Sequence, residues 1–222
     1  MTDLSKLATC TDIPDDLLKI YLSSGEVAVD TELHGLKLHR DEICLVQICD
    51  DKDNLCLVKP DIDSPPPNLR KLVESTEVIK VFHFALTDVA FFKTSLGMTV
   101  TPFHCTKVMS KMIRTYTDGH GLKDLTKQIC GFDLEKQMQQ TDWSSKDLSQ
   151  EQLKYAANDV LNLIKIYRTL DQMIKARCPL YTGGTVEELN EKAQAVLPNL
   201  IDLLIAGYGD EDRGWQTKLF TH

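Results

Sequence analysis

The hydrophobic pattern divides the chain into a strand-rich opening, an alternating middle and a helical end. Residues 13–22 have the spacing of a short helix, closed by the turn Ser23-Ser24-Gly25. Residues 26–34 predict a buried strand. Residues 42–49 alternate and are rich in β-branched side chains, which predicts a second strand, and residues 54–59 predict a third. The link 50–53 is short and polar, as a hairpin requires, so these strands are expected to form a meander. Four prolines between residues 59 and 68 end it. Residues 68–75 fit a short helix, 78–84 a central strand, 87–96 a helix stopped by Gly97, and 101–105 a short strand. Residues 106–114 and 121–129 predict two more helices, the second halted by Gly131. Residues 148–175 predict one long helix, with Ser149 as N-cap and Gln152 at the capping-box position. Residues 186–204 predict a last helix, interrupted at Pro198. Strands first, then strand–helix alternation, then helices point to an α/β fold: a five-stranded mixed sheet flanked by helices.

Composition narrows the function. A chain of 222 residues suits one domain, or one with an appendage, and can bury a core without staples. The net charge of −8 argues against gripping long duplex DNA by non-specific attraction, because that binding runs on neutralised phosphates. A metal site would account for part of the excess, since it needs uncompensated carboxylates. The seven cysteines are odd in number, form no CxxC, and mostly sit in apolar stretches where a thiol acts as a small hydrophobe. That usage fits a reducing cytoplasm and offers zinc no paired ligand spacing. The first eleven residues lack the apolar centre of a signal peptide, and no apolar run approaches the roughly 20 residues of a membrane span. A soluble cytoplasmic protein with no membrane partner is expected.

The chemistry lies in scattered acids. Asp30 and Glu32 stand two apart at the end of the first strand, so both leave one face, a platform for a hard cation that prefers oxygen ligands. Asp88 follows the apolar strand Val81-Phe82-His83-Phe84 near a helix start, where a negative group is favoured. Tyr155 and Asp159, four apart, share a helix face. Each piece alone is compatible with a solvated strand end, a helix cap or a surface pair. Together they form a four-carboxylate-plus-tyrosine set suited to two divalent ions, Mg2+ or Mn2+, about 4 Å apart, clamping the attacking and leaving oxygens of an in-line displacement. Tyr155 would orient the attacking water, because a tyrosine with a pKa of about 10 is a poor base at neutral pH. Lys107, Lys111, Arg114, Lys123 and Lys127 gather between residues 104 and 127, the best candidate for a phosphate-binding edge in an acidic chain. His83 and His120 lie near these groups in sequence order.

Val29-Asp30-Thr31-Glu32, Phe82-His83-Phe84 with Asp88, and Tyr155-Ala156-Ala157-Asn158-Asp159 resemble the three exonuclease motifs of the DEDD superfamily. Tyrosine four before the last aspartate matches the tyrosine subclass, similar to ribonuclease D; the histidine subclass would carry histidine where Lys154 stands. Asp30 to Leu36, His39-Arg40-Asp41, Lys80 to Phe84, Cys105-Thr106-Lys107 and Arg114 to Lys123 resemble the nano-RNase C (NrnC) branch. The resemblance covers residues 26–168. It implies an RNase H-like exonuclease fold over residues 1–178, with residues 179–222 a C-terminal helix and tail packed on the same domain or at an oligomer interface. It implies 3′→5′ hydrolysis to nucleoside 5′-monophosphates, a preference for dinucleotides such as pGpG, and a ring-like homo-octamer. It also implies that Leu36 wedges between two bases, and that Thr31, His83, Lys107, Arg114, His120 and Lys123 contact substrate. Relatives usually carry arginine where Gly119 stands, and Thr-Leu where Leu33-His34 stand. The remainder after residue 178 is too short for the helical domains that follow the nuclease in ribonuclease D, which favours short substrates or a ring. Two alternatives stay open: a broader exonuclease acting on longer RNA or DNA 3′ ends, and a non-catalytic nucleotide-binding oligomer.

Overall fold

The structure is a computed structural model that describes residues 7–134, 141–177, 179–180 and 183–208. Cys178 and the tail beyond residue 208 lie outside the described residues. The strands are β1 (Glu26–Leu33), β2 (Ile43–Cys49), β3 (Leu55–Val58), β4 (Ile79–Phe82) and β5 (Phe103–Cys105), in spatial order β3-β2-β1-β4-β5. β1, β2 and β3 pair antiparallel, as the meander predicts, and β4 and β5 extend the other side of β1 in parallel. The expected α/β fold with a five-stranded mixed sheet is present.

β1 occupies the centre and is apolar on both faces. Val27 and Val29 face a core built with Tyr21, Leu69, Phe91 and Leu197. These come from α1 (Asp15–Ser24), α2 (Pro67–Val73), α3 (Ala85–Leu96) and α8 (Val186–Ile205). Ala28 faces the opposite core with Met109, Val160 and Ile166, from α4 (Thr106–Ile113), α6 (Gln150–Leu161) and α7 (Leu163–Lys175). The two-residue period of the strand therefore sends Asp30 and Glu32 to the second face, beneath α6.

Three helix expectations are corrected. Residues 148–175 form two helices, with Asn162 between them at φ −110°, ψ −1°. α6 packs on β1, β2 and β3, whereas α7 packs on α4, β1 and β4; a straight helix would leave one of these surfaces uncovered. The capping box at the start of α6 forms as predicted: Gln152 N donates to Ser149 Oγ at 3.2 Å and Ser149 N to Gln152 Oε1 at 2.9 Å. α8 runs through Pro198 unbroken. The ring removes one backbone bond, but Leu197 and Ile201 on either side are buried and keep the helix seated. The predicted helix 121–129 is a short α5 (Leu122–Leu125) followed by a π-helical turn, Thr126–Cys130, ended by Gly131 at φ 86°.

The β4–β5 pair that delivers Asp88 is anchored by an internal cation. Lys80 is fully buried, and its ammonium donates to the carbonyls of Ser75 (2.6 Å), Val78 (2.8 Å) and Thr101 (2.6 Å). Burial pulls its pKa down to about 8. Three carbonyls share one donor group, and an orphaned buried acceptor is costly. Lys80→Met is expected to cost about 2–4 kcal/mol of stability, read from the urea midpoint of the purified chain; an unchanged midpoint would show that these carbonyls need no cation.

Candidate active site

The acids meet where the β1–β2 ladder ends. The register slips between Glu32 and Leu33, and such a bulge bends the strand and re-aims its side chains. Asp159 arrives from α6, one turn beyond Tyr155. Asp30, Glu32 and Asp159 each offer an oxygen within 4.8 Å of the other two. Asp88, buried in the first turn of α3, stands outside that close set. Its Oδ1 accepts a 2.6 Å bond from Thr31 Oγ1. Thr31 lies between the two acids of β1 but points to the other face, so it ties the start of α3 to the strand that carries the site.

Burial raises the pKa of all four carboxylates, and their mutual repulsion adds to it at Asp30 and Glu32. Asp30 is held well above the carboxylate range by burial, then by Asp88, Asp159 and Glu32. Glu32 is pushed to about 9 by burial and the charges of Asp159 and Asp88. Burial takes Asp159 to about 7, opposed by its bond to Tyr155. Asp88 rises to about 6, restrained by the Thr31 hydroxyl. Tyr155 is pushed up by burial and by Asp159, Glu32 and Asp30, so its hydroxyl stays protonated. Its ring lies against Trp143, with centroids 6.1 Å apart.

Asp30, Glu32, Tyr155 and Asp159 line a cavity of about 340 Å3 together with His83, Lys107, Leu122, Lys123, Asp124 and Leu134. A larger cavity of about 510 Å3 between α3, β5 and α8 contains none of the site acids. His83 Nδ1 lies 3.0 Å from Thr106 Oγ1, and burial together with Lys107 lowers its pKa to about 4, which keeps the ring neutral. Lys107 Nζ stands 4.2 Å from the centroid of the Phe84 ring. Phe84 is exposed and holds a left-handed backbone (φ 72°) just before α3.

Not every candidate residue converges. Arg114 is buried, and its guanidinium donates to Ser110 Oγ (2.9 Å), to Gly119 O (2.7 Å) and to Gln128 Oε1. Those donors hold the loop that follows α4, so Arg114 does not line the cavity. His120, in the same loop, has its Nδ1 2.9 Å from Ser110 Oγ. Lys127 pairs with Asp133 at 3.0 Å. Leu36 is 75% exposed on the β1–β2 loop, outside the cavity wall. That loop is built around Asp41, which accepts from Lys37 N (2.9 Å) and from Arg40 (2.6 and 2.7 Å). A Cβ at position 35 would come within 2.3 Å of Asp41 Oδ2, so any larger residue there would have to push that carboxylate away from its partners. Trp143, whose ring lies against Tyr155, adjoins the site without having been singled out from the sequence. An aromatic at a loop or strand end is too common to signal this position.

A mixed sheet of this order, with acids from the central strand facing a carboxylate and a tyrosine on a packed helix, is the RNase H-like exonuclease fold. Residues 6–175 match the family model described as 3′-5′ exonuclease, and the chain belongs to that family. Brucella melitensis NrnC superimposes with a TM-score of 0.82 at 34% identity, covering 96% of each chain. The structures of that protein bound to pGG and with bound Mg2+ each give 0.79, at 34% and 33% identity, covering 91% of this chain and 94% of that one. Ribonuclease D of Gluconacetobacter diazotrophicus is 33% identical over 147 residues, 65% of this chain and 36% of that protein. Ribonuclease D of Granulibacter bethesdensis is 31% identical over 170 residues, 75% of this chain and 42% of that protein. The chain thus spans well under half the length of these ribonuclease D relatives.

The site's chemistry sets its pH dependence. Without a cation, the folded acids keep protons that the unfolded chain releases near pH 4 or so, up to about 9 at Glu32. The unfolded state binds fewer protons across that window, so stability falls as pH rises through it. Divalent cations need the ionised oxygens, and their stabilisation grows with pH. In EDTA the melting temperature is expected to drop between about pH 6 and pH 9. Mn2+ at a hundred times its dissociation constant should restore about 2.7 kcal/mol. A melting temperature indifferent to Mn2+ at alkaline pH would count against a cation at these acids.

Proposed function

We propose that the chain hydrolyses RNA from the 3′ end to nucleoside 5′-monophosphates, with 5′-phosphorylated dinucleotides as preferred substrate. Asp30, Glu32, Asp88 and Asp159 would hold two divalent cations, Mg2+ or Mn2+. The observation that carries this is the convergence of acids from β1 and α6 within 4.8 Å, beside Tyr155. Carboxylates so close cannot all ionise without positive charge, and an all-oxygen set suits magnesium or manganese rather than a thiophilic ion. When bound, the cations supply a water of lowered pKa and a clamp on the attacking and leaving oxygens.

The protein's own groups do the rest. Tyr155, kept protonated, orients the attacking water from beside Asp159. Thr31 fixes Asp88. Neutral His83 offers a hydrogen bond without competing with the cations for charge. Lys107 and Lys123, which line the same cavity, would attract the substrate's phosphate oxygens. Leu36 is an exposed apolar side chain on a loop held by Asp41, suited to slip between two bases and shield their faces from water. Arg114 and His120 act indirectly, by shaping the loop behind the cavity. The likeness to NrnC, a protein seen with pGG, supports a short substrate. The ribonuclease D relatives favour the alternative, a broader exonuclease acting on longer RNA or DNA ends.

Two experiments test this. Asp159→Ala is expected to lower kcat/KM about a thousandfold or more, while Tyr155→Phe lowers kcat about a hundredfold with KM unchanged; normal turnover in either removes that residue from the chemistry. In single-turnover assays on 5′-labelled RNAs of two to seven nucleotides, the dinucleotide should be cleaved fastest, and Leu36→Ala should raise its KM roughly tenfold. Equal or faster cleavage of the heptamer would favour the broader exonuclease.

A further inference from the structure

Gln47, at the middle of β2, is fully buried, and neither its side-chain nitrogen nor its oxygen has a hydrogen-bond partner. A buried amide left unpaired costs about 1–3 kcal/mol, and native proteins seldom keep one without a use. Its neighbours on the same strand face, Leu45 and Cys49, are apolar. A leucine at this position would avoid the cost.

The register shows what the amide faces. Gln47 pairs directly with Asp30 across the antiparallel ladder, while Leu45 pairs with Glu32 and Cys49 with Ala28. Directly opposed residues share a face, with Cβ atoms about 4.5–5.5 Å apart. Leu45 belongs to the apolar group with Trp143, Leu153 and Ala156. Cys49 belongs to the one around Met109 and Val160. Gln47 falls in the seam between them, below α6, beside the point where Asp30 and Asp159 approach each other.

We propose that Gln47 is a positioning residue whose side-chain N–H donates to the Asp30 carboxylate when the site holds its cations. This rests on the metal-dependent function proposed above. A primary amide suits the task because it donates without adding a charge: lysine would compete with the cations, and another acid would add to the repulsion. Carboxylates that ligate metals are themselves hydrogen-bonded, and losing such an outer partner lowers metal affinity by about 10–100-fold.

The test compares wild type, Gln47→Leu and Asp159→Ala in the full chain by Mn2+ titration calorimetry, alongside melting curves in EDTA. Gln47→Leu should bind Mn2+ about 10–100-fold more weakly, while its metal-free melting temperature equals or exceeds that of wild type. Its kcat should recover at saturating Mn2+, so the loss appears in the Mn2+ concentration needed for half-maximal rate. Wild-type Mn2+ affinity in Gln47→Leu would overturn the proposal and leave Gln47 a polar residue of the core. If that variant does not fold, Gln47→Met replaces it, and a wild-type crystal grown with Mn2+ reads the contact directly. An amide nitrogen within hydrogen-bond distance of an Asp30 oxygen supports the role, and an amide turned away from Asp30 overturns it. A wild type that binds no Mn2+ would instead overturn the metal-dependent function itself.

Discussion

Carboxylate repulsion is the constraint around which this molecule is organised. Asp30, Glu32 and Asp159 are brought within 4.8 Å of one another, with Asp88 close enough to raise the pKa of Asp30 further. No protein gains stability from such an arrangement by itself. The fold tolerates it because the acids stand on elements fixed by large apolar contacts elsewhere. β1 is clamped between two cores, α6 starts from a closed capping box, and α3 is tied to β1 through Thr31. Rigid supports hold the charges together, and that is the condition for tight cation binding.

The surroundings of the acids are mixed in charge. His83 is buried and neutral, so it adds no positive charge beside the acids. Lys107 and Lys123 line the same cavity as the acids, with Asp124 next to Lys123 in the chain. Lys107 spreads part of its charge over the Phe84 ring. Arg114, the strongest cation of the expected basic edge, is spent inside the loop after α4. Its five donors are better matched to several carbonyl and hydroxyl acceptors than to a solvated phosphate.

Much of this was legible in the chain, and the exceptions share a cause. Strand positions followed from short apolar runs bounded by polar links, and the start of α6 from Ser149 and Gln152, because these signals are local. The break at Asn162 was not legible: residues on both sides are good helix material, and only the two different surfaces beneath α6 and α7 require a bend. Pro198 misled in the opposite sense, since local chemistry predicts a break that the burial of Leu197 and Ile201 overrides. The inward turn of Arg114 was not legible either, although its partners Ser110, Gly119 and Gln128 are near in the chain, because the loop that follows α4 must first close around it; the solitary amide of Gln47 depends on neighbours farther away in sequence.

The amino-acid order by itself determined the chemical inventory: which acids, which tyrosine, and on which face of a strand or helix each would stand. Backbone periodicity makes that a local property. Only the tertiary structure decided the distances. It placed three oxygens in one small volume, left Asp88 a step behind them, turned Arg114 inward and set Gln47 opposite Asp30. Those outcomes come from packing β1 against two cores and seating α6 over it, and packing is a contest among all contacts at once that no short stretch of sequence can settle.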